Sequence, residues 1–166
     1  MPCTARRNVV SWEKTRQTAP ETAEEMHMEY AYERKINYYE TDRMGIVHHS
    51  NYIRYLEETR CDWMESVGIP MSLLEERGFT IPVLEVNCRY LHSVTSGDVI
   101  RIAPKITTYN GVRMTISYVV TDQKTGETVA EASSGHCFTT LDLHPVNMKK
   151  KAPEIHAVME RLAAEA

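Results

Sequence analysis

The chain has no apolar run near the roughly 20 residues that cross a bilayer as a helix, and no CxxC pair, Walker glycine loop, GxGxxG or GxSxG. The first absence argues against a membrane span, and the others remove the commonest zinc, nucleotide and serine-hydrolase readings. The four cysteines, Cys3, Cys61, Cys88 and Cys137, stand far apart. A compact disulfide framework is therefore not indicated, and free thiols in a reducing cytoplasm are expected. Positive charge is not in excess: the net charge is -4 and the lysines and arginines are scattered, which argues against a nucleic-acid partner. Asn8-Val9-Val10-Ser11-Trp12 is soon interrupted by charge, so a signal peptide is not expected and the protein reads as cytoplasmic. Internal repeats and low-complexity segments are also missing.

What is present fits one soluble domain: 166 residues, 42% hydrophobic and 25% charged, enough chain to bury a real core. Residues 1–28 show no sustained period and read as a terminal extension, flexible apart from a short helix at about 20–28. The domain is then 29–166. Alternate apolar positions Tyr30, Tyr32, Ile36 and Tyr38 predict a first strand over 30–38. Glu40-Thr41-Asp42-Arg43-Met44-Gly45 holds turn formers, with Gly45 supplying a backbone conformation or a close approach that a side chain would hinder.

A helix over 52–67 has readable ends, with Ser50 or Asn51 as its cap and Gly68-Ile69-Pro70 as its stop. Ile53, Leu56, Trp63, Met64 and Val67 recur at helical spacing, and Tyr52, Tyr55 and Cys61 widen that face. A short helix over 71–77 closes at Gly78. The period then changes to two. Leu84, Val86, Cys88 and Tyr90 alternate first; Ile100, Ile102 and Ile106 follow, with Pro104 marking an edge or bulge. Met114, Ile116, Tyr118 and Val120 come next, and a turn at Lys124-Thr125-Gly126 leads to a last strand over 128–141. A surface helix over 153–164 ends the pattern. The order predicts an α+β fold, a five-stranded antiparallel sheet curled around one long helix, with open edges that pairing across a dimer axis would cover.

Asp42 precedes a helix whose first amides are unpaired and carry partial positive charge. A carbonyl on those amides beside a carboxylate is a minimal kit for acyl transfer, and a thioester suits it because thiolate leaves readily. The plainer reading of Asp42 is a turn aspartate bonded to its own backbone. His48 and His49 read as an acid or orienter beside Asp42, or as polar residues leading into the cap. Metal ligation is disfavoured because no third ligand stands at a recognisable spacing. Arg89 and His92, the turn residues Asn110 to Arg113, or Lys149-Lys150-Lys151 could meet the phosphates of a nucleotide-bearing substrate, although each is ordinarily solvated surface.

The run YYETDRMGIVHHSNYIRYLEETR resembles the signature of the 4-hydroxybenzoyl-CoA thioesterase family of hotdog-fold proteins, and the likeness extends over about 30–141. The resemblance implies an acyl-CoA thioesterase of hotdog fold that needs no metal or cofactor, built as a homodimer or homotetramer with sites at the dimer interface. Asp42 falls on the family's catalytic aspartate, nucleophile or general base. His49 falls on the residue whose backbone amide polarises the thioester carbonyl. Gly45, Ile46 and Val47 match the loop lining the acyl pocket, Tyr52 belongs to the matching helix start, and Arg113 lies near the turn used against the CoA phosphates. His48 departs from the pattern, which commonly has an aromatic residue there. Two alternatives share the fold: hydration or dehydration of an acyl thioester, and a non-catalytic module that binds acyl-CoA or an acylated carrier protein.

Overall fold

A computed structural model describes residues 30–165. The expected extension and its short helix lie outside that range. The elements run β1 (Tyr32–Lys35), a 3-10 turn (Tyr38–Glu40), α1 (His49–Ser66), α2 (Met71–Glu76), β2 (Phe79–Thr80), β3 (Val83–Tyr90), β4 (Val99–Tyr109), β5 (Arg113–Asp122), β6 (Thr128–Cys137), β7 (Thr139–Thr140), α3 (Met148–Lys151) and α4 (Pro153–Ala164). β1, β4, β5, β6 and β3 form one sheet in that spatial order, all neighbours antiparallel. β2 and β7 make a separate small pair. The inward faces of β4, β5 and β6 pack with α1 into one core that includes Ile100, Ile102, Ile106, Ile116, Tyr55, Leu56 and Met64. The fold is the expected α+β hotdog, five antiparallel strands around one long helix.

The first strand is shorter than its alternation predicts. Glu40 accepts from the Asn37 amide at 2.7 Å, and the Glu40 amide donates back to the Asn37 carbonyl. This reciprocal pair turns the chain into a 3-10 turn, so Tyr38 is 84% exposed rather than part of a strand face. α1 begins earlier than its sequence cap suggests. His48, not Ser50 or Asn51, is the N-cap, its Nδ1 accepting from the Ser50 amide at 3.3 Å. The stop is as read: Gly68 has φ +82° and the Ile69 amide returns to the Met64 carbonyl at 2.8 Å.

Two face assignments change. Ile53 is exposed, whereas Thr59 and Arg60 are buried on the sheet side of α1. The irregularity in β4 falls between Ile106 and Thr108 rather than at Pro104. Pro104 is tolerated because β1 begins with Tyr32 opposite Ile102, leaving the β4 residues after Ile102 without a ladder partner on that side. β3 leaves its neighbour in sequence, β4, and pairs with β6 at the opposite edge.

Candidate active site

The loop before α1 is folded back on itself by short-range bonds. The Asp42 amide donates to the Ile46 carbonyl and the Gly45 amide to the Asp42 carbonyl, both at 2.9 Å. The Met44 amide donates to Asp42 Oδ1 at 2.7 Å. Gly45 has φ +78° with nothing within 4 Å of a built Cβ. The glycine is thus needed for its left-handed backbone and not for a close approach. Asp42 does bond its own turn, as the plainer reading had it, through one carboxylate oxygen only among the described residues.

Two further contacts tie this loop to the helix. The His48 amide donates to the Glu40 carbonyl at 2.9 Å, and the Asn51 side chain donates to the same oxygen at 2.7 Å. The Val47 amide reaches the Val94 carbonyl at 2.9 Å, docking the loop on the segment that leads into β4. His49 is the first residue of α1 and is exposed. Its carbonyl accepts from the Tyr90 hydroxyl at 3.1 Å, and its amide makes no intramolecular hydrogen bond among the described residues. The His48 and His49 rings lie 4.1 Å apart between centroids. No cluster of three or more metal-ligating side chains occurs among the described residues.

Behind the loop stands an ion-paired strut. Arg34 on β1 pairs with both Glu40 and Glu58, and its guanidinium lies 4.4 Å from the Tyr55 ring centroid. Burial pushes the Glu40 carboxyl up. The Asn37 amide and the Arg34 guanidinium outweigh that push and hold it below its ordinary value.

The remaining anticipated residues separate into two places. Ile46 is half-buried, and Val47 and Tyr52 are buried beneath the loop. The Tyr52 ring packs edge-on against Tyr90 at 5.1 Å. Arg113 is not brought to Asp42 within one chain. It opens β5 at the end paired with Cys137, whereas the Asp42 loop docks where Asp122 ends β5 beside Ile100. At about 3.3 Å per residue those two ends of β5 are about 30 Å apart.

Sequence reading overlooked a polar group farther along α1. A cavity of about 530 Å3 lies between α1 and the β3 side of the sheet, lined in part by Arg60, Tyr118, Ser134 and His136. Period two would have pointed to Ser134 and His136, since they continue the inward parity of Ala130 and Ala132 on β6. Among the described residues no helix is long and apolar enough to cross a membrane.

Residues 36–162 match the family described as the Thioesterase-like superfamily. A protein of Aquifex aeolicus, provisionally named an esterase, is 36% identical over 111 residues, 67% of this chain and 85% of its own length. A Bacillus subtilis protein, YneP, provisionally named an acyl-CoA thioesterase, is 30% identical over 128 residues, 76% of this chain and 92% of its own. The crystal structure of DHNA-CoA thioesterase from Staphylococcus aureus superposes with a TM-score of 0.76 at 24% identity, covering 81% of this chain and 90% of that one, a likeness of fold. With the hotdog sheet, its buried helix and a family match over most of its length, the chain belongs to the thioesterase-like superfamily and is a thioester hydrolase.

Proposed function

We propose that the chain hydrolyses an acyl-CoA thioester to a free carboxylic acid and CoA, with Asp42 as nucleophile or general base and the His49 backbone amide polarising the carbonyl. The observation that carries this reading is the return of the Asp42 loop onto the start of α1, where His48 and Asn51 both bond Glu40. A thioester oxygen set on the His49 amide would gain a donor already oriented and reinforced by the helix dipole. As a base, Asp42 takes a proton from water while the hydroxide attacks and the C–S bond breaks, releasing CoA thiolate. As a nucleophile, its carboxylate attacks the carbonyl carbon, the C–S bond breaks with release of CoA thiolate, and water opens the resulting anhydride to the free acid and the Asp42 carboxylate. Gly45 and Ile46 form the rim of this site, and Val47 and Tyr52 hold it from the core side. The resemblance to the 4-hydroxybenzoyl-CoA branch rests on the same segment.

The proposed assembly is a homodimer, or a homotetramer built from it, joined at β3. That strand is a sheet edge, and its apolar side chains lie open: Leu84 is 53% exposed, with Val83, Val86 and Tyr90 exposed beside it. Antiparallel pairing of two such edges extends the sheet and covers these side chains. It also carries the Arg113 end of one sheet toward the Asp42 end of the other, which reconciles Arg113 as a phosphate contact with its distance from Asp42 in one chain.

Release of free thiol from a panel of acyl-CoAs, by wild type and by Asp42→Asn, tests the reaction. Hydrolysis by wild type with a loss of at least about a hundred-fold in the variant is expected. Equal rates, or no hydrolysis by either protein, would reject it.

A further inference from the structure

Four consecutive amides stand at the head of α1, those of His48, His49, Ser50 and Asn51, and three of them are taken. The His48 amide donates to the Glu40 carbonyl at 2.9 Å, the Ser50 amide to His48 Nδ1 at 3.3 Å and the Asn51 amide to the His48 carbonyl at 2.9 Å. Of the four, only the His49 amide lacks an intramolecular partner among the described residues. His49 is exposed, and a free amide at a helix head lies on the positive end of the helix dipole.

The carbonyl of that same residue is fixed from the sheet. A helix carbonyl keeps one lone pair free after accepting from the amide four residues on, and the Tyr90 hydroxyl donates to the His49 carbonyl at 3.1 Å. Tyr90 ends β3 opposite Ala130. Its ring is held edge-on against the Tyr52 ring at 5.1 Å, and Tyr52 is buried. No other side chain of the sheet bonds residues 48–51 among the described residues. Helix ends fray readily. A carbonyl anchored from outside the helix restrains the dihedral angles of its own residue, and with them the direction of that residue's amide.

We propose, resting on the thioesterase reading, that Tyr90 is a positioning residue: its hydroxyl holds the His49 peptide so that the one free amide at the head of α1 stays aimed at the thioester oxygen. Tyr90 acts through that amide and exchanges no proton with the substrate. The amide stabilises the negative charge that gathers on the carbonyl oxygen as Asp42, or the water it activates, adds to the carbonyl carbon. That charge is larger in the transition state than in bound substrate. A misdirected donor therefore lowers kcat and leaves KM nearly unchanged.

The experiment removes the hydroxyl and keeps the ring. In Tyr90→Phe, kcat toward the acyl-CoA that wild type hydrolyses best should fall about ten-fold with KM within about two-fold, while the far-ultraviolet spectrum and the mass by light scattering match wild type. A spectroscopic reading separates the aim of the amide from folding. The same acyl-CoA, labelled with carbon-13 at its carbonyl, is bound to Asp42→Asn with and without Tyr90→Phe, and its carbonyl stretch is taken by difference infrared spectroscopy. The band should lie below that of the free thioester in Asp42→Asn and move back toward the free value when Tyr90→Phe is added. Tyr90→Met also lacks the hydroxyl and carries the same expectations, so either variant decides when the other does not fold. An unmoved band, or kcat equal to that of wild type, in a folded variant overturns the inference and leaves the thioesterase reading standing. Wild-type protein that hydrolyses no acyl-CoA rejects that reading and the inference with it.

Discussion

The side-chain amide of Asn51, in the first turn of α1, donates to the carbonyl oxygen of Glu40 at 2.7 Å. Because the His48 amide uses the same oxygen, the chain just before Asp42 is fastened to the start of the helix at two points. Asn51→Ala removes one of them. About 1 kcal/mol of stability should be lost, and on the proposed role of Asp42 kcat/KM toward an acyl-CoA should fall more than that change alone explains, because the segment that carries Asp42 loses one of its two ties to α1. Urea denaturation and initial rates on one preparation check both.

Arg34 joins β1, the 3-10 turn and α1 through Glu40, Glu58 and the Tyr55 ring. Glu40 is 4% exposed, so Arg34→Ala strands a buried carboxylate and should cost about 3 kcal/mol. Arg34→Ala combined with Glu40→Gln should recover part of that loss, because the stranded charge is gone. Chemical denaturation of Arg34→Ala, Glu40→Gln and the double variant against wild type reads the coupling.

His136 is neutral in the folded protein, its imidazole taken down to about 4 from an ordinary 6.5, by burial first and then by Arg60. Its folded value lies below its unfolded one. The folded state is therefore at no disadvantage above about 6.5, and stability falls as the pH drops from about 6.5 toward 4, where only the unfolded chain takes up the proton. Glu40, held below its ordinary value, adds a further loss at lower pH. Urea midpoints measured from pH 8 to pH 4 should show a decline between 6.5 and 4 that His136→Phe flattens.

Leu84→Lys places a charge on the exposed apolar edge of β3. The expected outcome is a smaller assembly with its fold intact: a lower mass by light scattering and an unchanged far-ultraviolet spectrum. A mass equal to that of wild type would show that the copies do not meet at this edge.

The boundaries of the elements were legible wherever the signal was local. Gly68-Ile69-Pro70 ended α1 because a left-handed glycine followed by an apolar residue closes a helix by itself. The alternation in β4, β5 and β6 marked the buried faces because side chains in a strand reverse at every step. Where two local signals competed, the nearer hydrogen bond won: the Asn37–Glu40 pair cut short a strand that Tyr38 would have extended, and His48 displaced Ser50 as the cap.

By itself, the sequence determined the Gly45 turn, the run from Asp42 into α1 and the inward parity of β5 and β6, since each depends on residues within one or two turns of chain. Only the tertiary structure decided which strand stands at the edge, for register and strand order come from pairing between distant segments. That pairing sent β3 to the far side of β6, leaving Leu84 in the open. It set Arg113 at the opposite end of the sheet from Asp42, and it gathered Arg60, Tyr118, Ser134 and His136 around one cavity. No spacing within any one element announces such a cluster, because its members come from α1, β5 and β6 and meet only when the helix lies across the sheet.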